Sequence, residues 1–141
     1  MTSKREQVLA AVLSLIETAC PAATVKRNVP KPARIGPGGS IVIRDGEPGE
    51  PEVILSPVTY LYDHRIVIEI VATGTAAEAT IDALMVAIAG AVMGARTLSG
   101  LCEWLETEAP VTGDLDAEGA DPGRWADAAI IASYTTDNPL R

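Results

Sequence analysis

The sequence predicts an α+β fold, a mostly antiparallel β-sheet packed with two main α-helices, and three observations carry that prediction. Two segments show apolar residues at helical spacing behind an S/T-x-x-E start, at Ser3–Glu6 and at Thr75–Glu78. Between them, an alternating run extends from about Val58 to Ala72. After the second helix, β-prone segments are separated by a stretch of Pro, Gly and acidic residues.

In the first helix, Val8, Leu9, Val12, Leu13 and Ile16 make one stripe, and Pro21 ends the run just after Cys20. Residues 22–39 read as a loop with Pro30, Pro32 and Pro37, studded by Lys26, Arg27, Lys31 and Arg34 with no acid between them. Ser40 to Arg44 is a short strand. Asp45-Gly46 and Pro48-Gly49 then supply turn chemistry before a second short strand, Val53 to Leu55. In the long strand, Tyr60, Tyr62, His64, Ile66, Ile68 and Ile70 share one face, the core candidate, with His64 its polar exception. Leu61, Asp63, Arg65, Val67, Glu69 and Val71 share the other, expected to be partly solvated or covered by another subunit.

Ile81, Leu84, Met85, Ile88 and Val92 form the stripe of the second helix, and Gly94 terminates it. Its other positions are largely Ala and Gly, so the helix must be covered nearly all round, by the sheet on one side and a neighbouring chain on the other. The last third reads as a strand (about Leu101 to Glu108), a long acidic loop (Pro110 to Arg124) and a final strand from about Trp125 to Thr135. The element order is therefore α-β-β-β-α-β-β, across a single domain covering 1–141.

Composition narrows the class. With 141 residues, 48% of them hydrophobic and 21% charged, the chain can bury a real core and is not a disordered tail. Phe is absent, so Ala, Val, Ile and Leu must fill the interior. Glu6, Gln7 and Glu17 break the N-terminal apolar stretch, which argues against a secretory signal. The most apolar run, Ala83 to Ala95, is too short to cross a bilayer of roughly 30 Å, so no membrane partner is expected. Cys20 and Cys102 lack metal-ligand spacing and are expected to be packed, reduced thiols of a cytosolic product.

The net charge of -8 is unevenly placed. Residues 1–35 carry six basic and two acidic side chains, while the remainder carries five basic and seventeen acidic ones. A chain of this balance repels a duplex at close range, although DNA can slide through an acidic pore without sequence-specific binding. The opposite charges suggest a head-to-tail contact between copies. In it, the basic loop of Lys26, Arg27, Lys31 and Arg34 meets the acidic loop of Asp114, Asp116, Glu118 and Asp121 on the next subunit.

No reactive constellation stands out. His64 is the sole histidine, and the side chains of its neighbours Asp63 and Arg65 point to the opposite strand face, so no Asp–His relay forms along the strand. A Cys102–His64 pair acting as nucleophile and base, as in a small acyl-transfer enzyme, is the catalytic alternative, without local motif support. Gly36-Pro37-Gly38-Gly39-Ser40 lacks the lysine and the following helix of a phosphate loop. Asp114-x-Asp116-x-Glu118-Gly119 mimics the opening of a calcium loop, but the twelfth position is Trp125 where a bidentate carboxylate is needed. No cofactor or metal is expected. Trp104 and Trp125 read as packing residues of a core or an interface.

One family shares this order of elements. Asp121 to Thr135, DPGRWADAAIIASYT, runs from an acidic loop through a Trp and a small-polar pair into a strand closing on Tyr. Together with REQVLAAVLSLIE and IVIEIVA in the same order and spacing, it resembles the tail terminator proteins of long-tailed phages, the group that includes the lambda minor tail protein U. The long Pro-rich loop departs from the lambda pattern, where the first loop is shorter. The resemblance implies a virion protein at the head-proximal end of the tail. Such a protein forms a hexameric ring that caps the tail tube, ends its polymerisation and offers a joining surface to the head or neck connector. It brings no catalytic residues. The work falls to surfaces, with Asp63, Arg65, Glu69 and Trp125 joining the two charged loops as candidate subunit or lumen contacts. Another head-completion or neck ring protein is the alternative within the virion.

Overall fold

Both helices and the sheet are present in the structure, a computed structural model that describes residues 1–32, 34–115 and 122–141. Helix α1 spans Lys4–Ala19, and the Ser3 hydroxyl caps it by accepting the Glu6 amide at 3.1 Å. The reciprocal half of the capping box is not made, because the Glu6 carboxylate accepts from Arg27 instead. Among the described residues, five of the six strands follow the order β1 (Thr24–Arg27), β2 (Ser40–Glu47), β4 (Val58–Thr73), β6 (Gly123–Thr136), β5 (Trp104–Leu115) across the sheet. The sixth, β3 (Glu52–Leu55), pairs with the beginning of β4. Among the described residues, only the β1–β2 pair is parallel.

Helix α1 and helix α2 (Ala77–Gly94) cover one face of the sheet. The alternation of β4 sets that face: Tyr62, His64, Ile66, Ile68, Ile70 and Ala72 are buried, while Asp63 and Arg65 are exposed. From the helices come Val8, Leu9, Val12 and Ile16 of α1 and Ile81, Leu84, Ile88 and Val92 of α2. Without Phe, bulk is supplied by isoleucines and by Tyr62 and Tyr134, whose ring centroids lie 5.9 Å apart. The small Ala126, Ala128 and Ala132 on the same face of β6 let the helices approach closely. Truncating Ile66, Ile68 or Ile70 to Ala would remove about 2–5 kcal/mol of stability.

The structure corrects several local expectations. The 22–39 segment is not all loop: Val25 packs against the core, and Thr24–Arg27 forms β1 beside β2. Asp45-Gly46 is a bulge inside β2 rather than a turn, marked by the register shift between Arg44 and Glu47. Glycine is required there, since Gly46 has φ +63 and an added Cβ would sit 2.0 Å from the Arg65 carbonyl oxygen. The Thr75–Glu78 capping box does not form: α2 starts at Ala77 behind Ala76 with no side-chain cap, and Glu78 lies 3.7 Å from Arg124. Most consequentially, the long acidic loop is shortened. Strand β5 continues through a bulge between Glu108 and Val111 and pairs with β6 as far as Leu115↔Gly123. Pro110 falls inside this irregularity, where a missing N–H interrupts no ladder bond.

Helix α2 is longer than the apolar run suggested. By length and composition its 18 residues, mean hydropathy 1.5, are enough to cross a membrane. Its inner stripe, however, is packed along the sheet, and Glu78 and Asp82 sit in its first turns.

Candidate functional site

At the centre of the fold, His64 is completely buried and both ring nitrogens are occupied. Nε2 lies 2.6 Å from the carbonyl oxygen of Asp45, which only accepts, so Nε2 carries the proton. Nδ1, 2.8 Å from the Tyr134 hydroxyl, then accepts from it. Burial holds the imidazole below its ordinary 6.5 and pushes the Tyr134 phenol up to about 12, so both are neutral near pH 7.

Above this pair, ionic contacts tie α1, β1 and β2 together. Arg27 donates to both Glu6 oxygens, at 2.6 and 2.8 Å, and through Nε to Asp45 at 2.8 Å. Asp45 also accepts from Asn28 at 2.9 Å and from Arg5 at 3.3 Å. Hydrogen bonds from Arg27 hold both the Glu6 and the Asp45 carboxyls below their usual range. Arg27 is thus a structural clasp within its own chain, and it does not share the exposed position of Lys26.

The arrangement offers little to covalent chemistry. Cys102 is buried, its thiol raised by burial, and donates to the Arg96 carbonyl at 3.6 Å. With Nε2–H held by Asp45 and the Nδ1 lone pair engaged by the Tyr134 hydroxyl, His64 has no free lone pair to take a proton from that thiol. Cys20 is likewise buried and raised. An apolar groove of about 210 Å³ opens where the β5 bulge departs from α2, between Met85, Ile88, Pro110 and Ile130. Its one ionisable lining residue, Glu108, is paired with Arg65 at 2.8 Å. Among the described residues, no group of three or more His, Cys, Asp or Glu is placed to hold a metal ion.

The expected surface residues are dispersed. Asp63, Arg65 and Glu69 lie on the sheet face away from the helices, and each has a partner. Asp63 accepts from Ser133 on β6, Arg65 donates to Glu108 on β5, and Glu69 accepts from Arg44 on β2 at 2.8 Å. Trp125 lies on the same face, over Gly113, where an added Cβ would come within 2.5 Å of its ring. Asp114, expected in a loop, is on β5 and accepts from Arg124 directly opposite. Asp116, Glu118 and Asp121 lie outside the described residues. Lys31 lines a recess of about 290 Å³ on this outer face with Pro32, Val42, Val71 and Trp125. Arg34, nearby in the chain, is exposed, as is Lys26 on β1.

Two apolar surfaces are exposed, and the first was not singled out from sequence. One is the β3–β4 hairpin, where Val53, Ile54, Leu55 and Val58 are 47%, 49%, 76% and 45% exposed. Its signal, four consecutive residues EVIL without alternation, was present but reads equally as a buried strand. The other is the outer side of α2, where Ala79, Ala83, Val86, Gly90 and Met93 recur at alternating spacings of four and three. This is the side expected from the sequence to be covered by a neighbouring chain; within the chain itself it is exposed.

No protein-family model matches the chain, and no curated protein is significantly similar to it. Solved structures do match. The chain is similar to one in a structure described as the virion of a native gene transfer agent particle, with 22% identity and a TM-score of 0.51. The similarity covers 94% of this chain and 92% of the other. At that identity the likeness is one of fold.

Proposed function

We propose that this chain is a single-domain structural subunit of a phage-like virion, acting as a tail terminator. In this reading identical copies, six in number, close into a ring at the head-proximal end of the tail. The ring caps the tube protein, stops its polymerisation and presents a joining surface to the head or neck connector, while DNA passes through the lumen without sequence-specific contacts. The chain needs no cofactor and performs no catalysis.

One observation carries the reading: the near end-to-end fold likeness to a chain of a gene transfer agent virion. The chemistry is consistent with it. The buried histidine is committed to the fold, while the outer sheet face, the hairpin and the outer side of α2 face solvent. Interfaces of obligate assemblies often bury roughly 2,000 Å² or more, and those surfaces are where such area is available. Within the proposed ring, Lys26, Lys31 and Arg34 remain contact candidates, as do Asp63, Arg65, Glu69, Trp125 and the acidic residues Asp116, Glu118 and Asp121. Arg27 and Asp114 are engaged inside their own chain.

The test is the native mass of the purified protein, followed by electron microscopy after mixing with polymerising tube protein. The expected result is a closed ring seated on one tube end, with tube growth arrested. A ring that binds a portal or connector but ignores tubes would instead assign a neck role. A protein that stays monomeric with and without tube subunits would end the proposal.

A further inference from the structure

The β3–β4 hairpin projects beyond the helix layer, and the geometry states by how much. Helix α2 begins beside the Thr73 end of β4 and, at 18 residues, extends about 27 Å. That covers roughly eight residues of a strand that has 16. The segment of β4 paired with β3, Val58 to Leu61, lies past that reach; Tyr60 still packs against the core, while Val53, Ile54, Leu55 and Val58 are exposed. No basic residue occurs between Arg44 and Arg65, whereas Glu47, Glu50 and Glu52 lead into the hairpin and are exposed. The result is an apolar tip on an acidic stem.

The complementary surface is on the same chain but elsewhere. The recess around Lys31 has an apolar floor of Val42, Val71 and Trp125, walled by Pro32. Lys31 and Arg34 are exposed, and no acidic residue occurs between Glu17 and Asp45. Two acids also line the recess: Glu69 is neutralised by Arg44, and Asp127 opposite it on β6 offsets one of the two cations, so that with Lys31 and Arg34 the described residues around the recess keep a net positive charge. Among the described residues, none of Glu47, Glu50, Glu52, Lys26, Lys31 or Arg34 takes part in an ion pair. The hairpin of one copy does not reach its own recess. The recess lies level with Glu69 and Val71, the tip level with Thr59, so about ten strand residues, roughly 33 Å, separate them.

We infer that the hairpin is an arm whose occupant is a second copy of this chain: Val53, Ile54 and Leu55 enter the neighbour's recess while Glu47, Glu50 and Glu52 face its Lys31 and Arg34. Arm and recess are different patches, so the contact is heterologous and repeats from copy to copy, closing a ring when the rotation permits. Apolar burial supplies adhesion, and the charges select partner and register. The inference rests on the self-assembly part of the function proposed above and is independent of the tail role.

Three variants of the full-length protein test it by sedimentation velocity, with circular dichroism melting to verify the fold: E47K/E50K/E52K, K31E/R34E, and the five changes combined. Each partial set should raise the concentration needed for assembly at least about tenfold without lowering the melting temperature, and the combination should recover most of the loss. Assembly unchanged by either set, or a combination no better than its worse parent, would overturn the arm contact. So would a wild-type chain that never assembles. Assembly that needs the arm but ignores tube protein supports the contact and removes the terminator role; tube capping indifferent to both sets does the reverse.

Discussion

The Tyr134 hydroxyl donates to Nδ1 of His64 across 2.8 Å, joining β6 to β4 in a region that excludes water. Tyr134→Phe would remove the donor and leave a buried imidazole nitrogen without a partner. Loss of about 1–3 kcal/mol is expected, read as a lower urea midpoint at pH 8 with an unchanged denaturant slope.

The same histidine makes stability depend on pH. Its folded pKa is depressed below 6.5, so between that value and its folded one the unfolded chain binds a proton that the native chain does not. Stability contributed by neutral His64 is therefore complete above pH 6.5 and declines as the pH falls beneath it. Urea midpoints measured from pH 8 to 5 should fall, and His64→Gln should flatten the profile across that window. Glu6 and Asp45, also depressed, act in the same direction lower down: their contribution is lost as the pH drops below about 4.5 through their folded values.

Arg27 holds two carboxylates from two other elements, at a site where its own side chain is 20% exposed. Solvent screening reduces what those bonds contribute, so Arg27→Ala should lower stability by about 1–2 kcal/mol. The oligomeric mass at a concentration well above assembly should not change, in contrast to K31E/R34E. A variant with normal stability and broken assembly would show that Arg27 faces a neighbour after all.

Gly46 occupies a left-handed bulge against the Arg65 carbonyl. Gly46→Ala must displace that backbone or unravel the bulge, and a loss of at least about 2 kcal/mol is expected in chemical denaturation. Gly49, with φ +72 and open space around it, should tolerate alanine with a loss nearer about 1 kcal/mol.

Native thiol reactivity separates a packing role for Cys102 from a catalytic one. Buried, raised thiols at Cys20 and Cys102 should react with a disulfide reagent only as fast as the chain opens. Stoichiometric labelling of Cys102 within seconds in folded protein would contradict this placement.

The architecture was legible where one physical signal dominated. The alternation of β4 announced its buried face, though not that His64 is buried within it, and the stripe of α1 named the residues it buries. What escaped were features decided between distant segments. Thr24–Arg27 has weak strand character and becomes β1 because β2 offers an edge beside which Val25 can pack. Pro110 and the acids after it look like loop, yet pairing with β6 carries β5 past the proline by means of a bulge. Charge was legible as composition but not as pairing: Arg27 and Asp114, each expected at a surface contact, are bound by Glu6, Asp45 and Arg124 from elsewhere in the chain. The two strands of the hairpin were visible, but neither their pairing nor their lack of cover was, since the cover depends on where α2 ends.

Strand β4 is unbroken from Val58 to Thr73, so the projecting tip and the packed interior belong to one rod. Sliding that rod by a single residue would turn Ile66, Ile68 and Ile70 outward and drive Arg65 and Glu69 beneath the helices. The tip is therefore locked at a fixed distance from the molecular centre by the same parity that sorts oil from water along the strand, which gives every copy an identical reach.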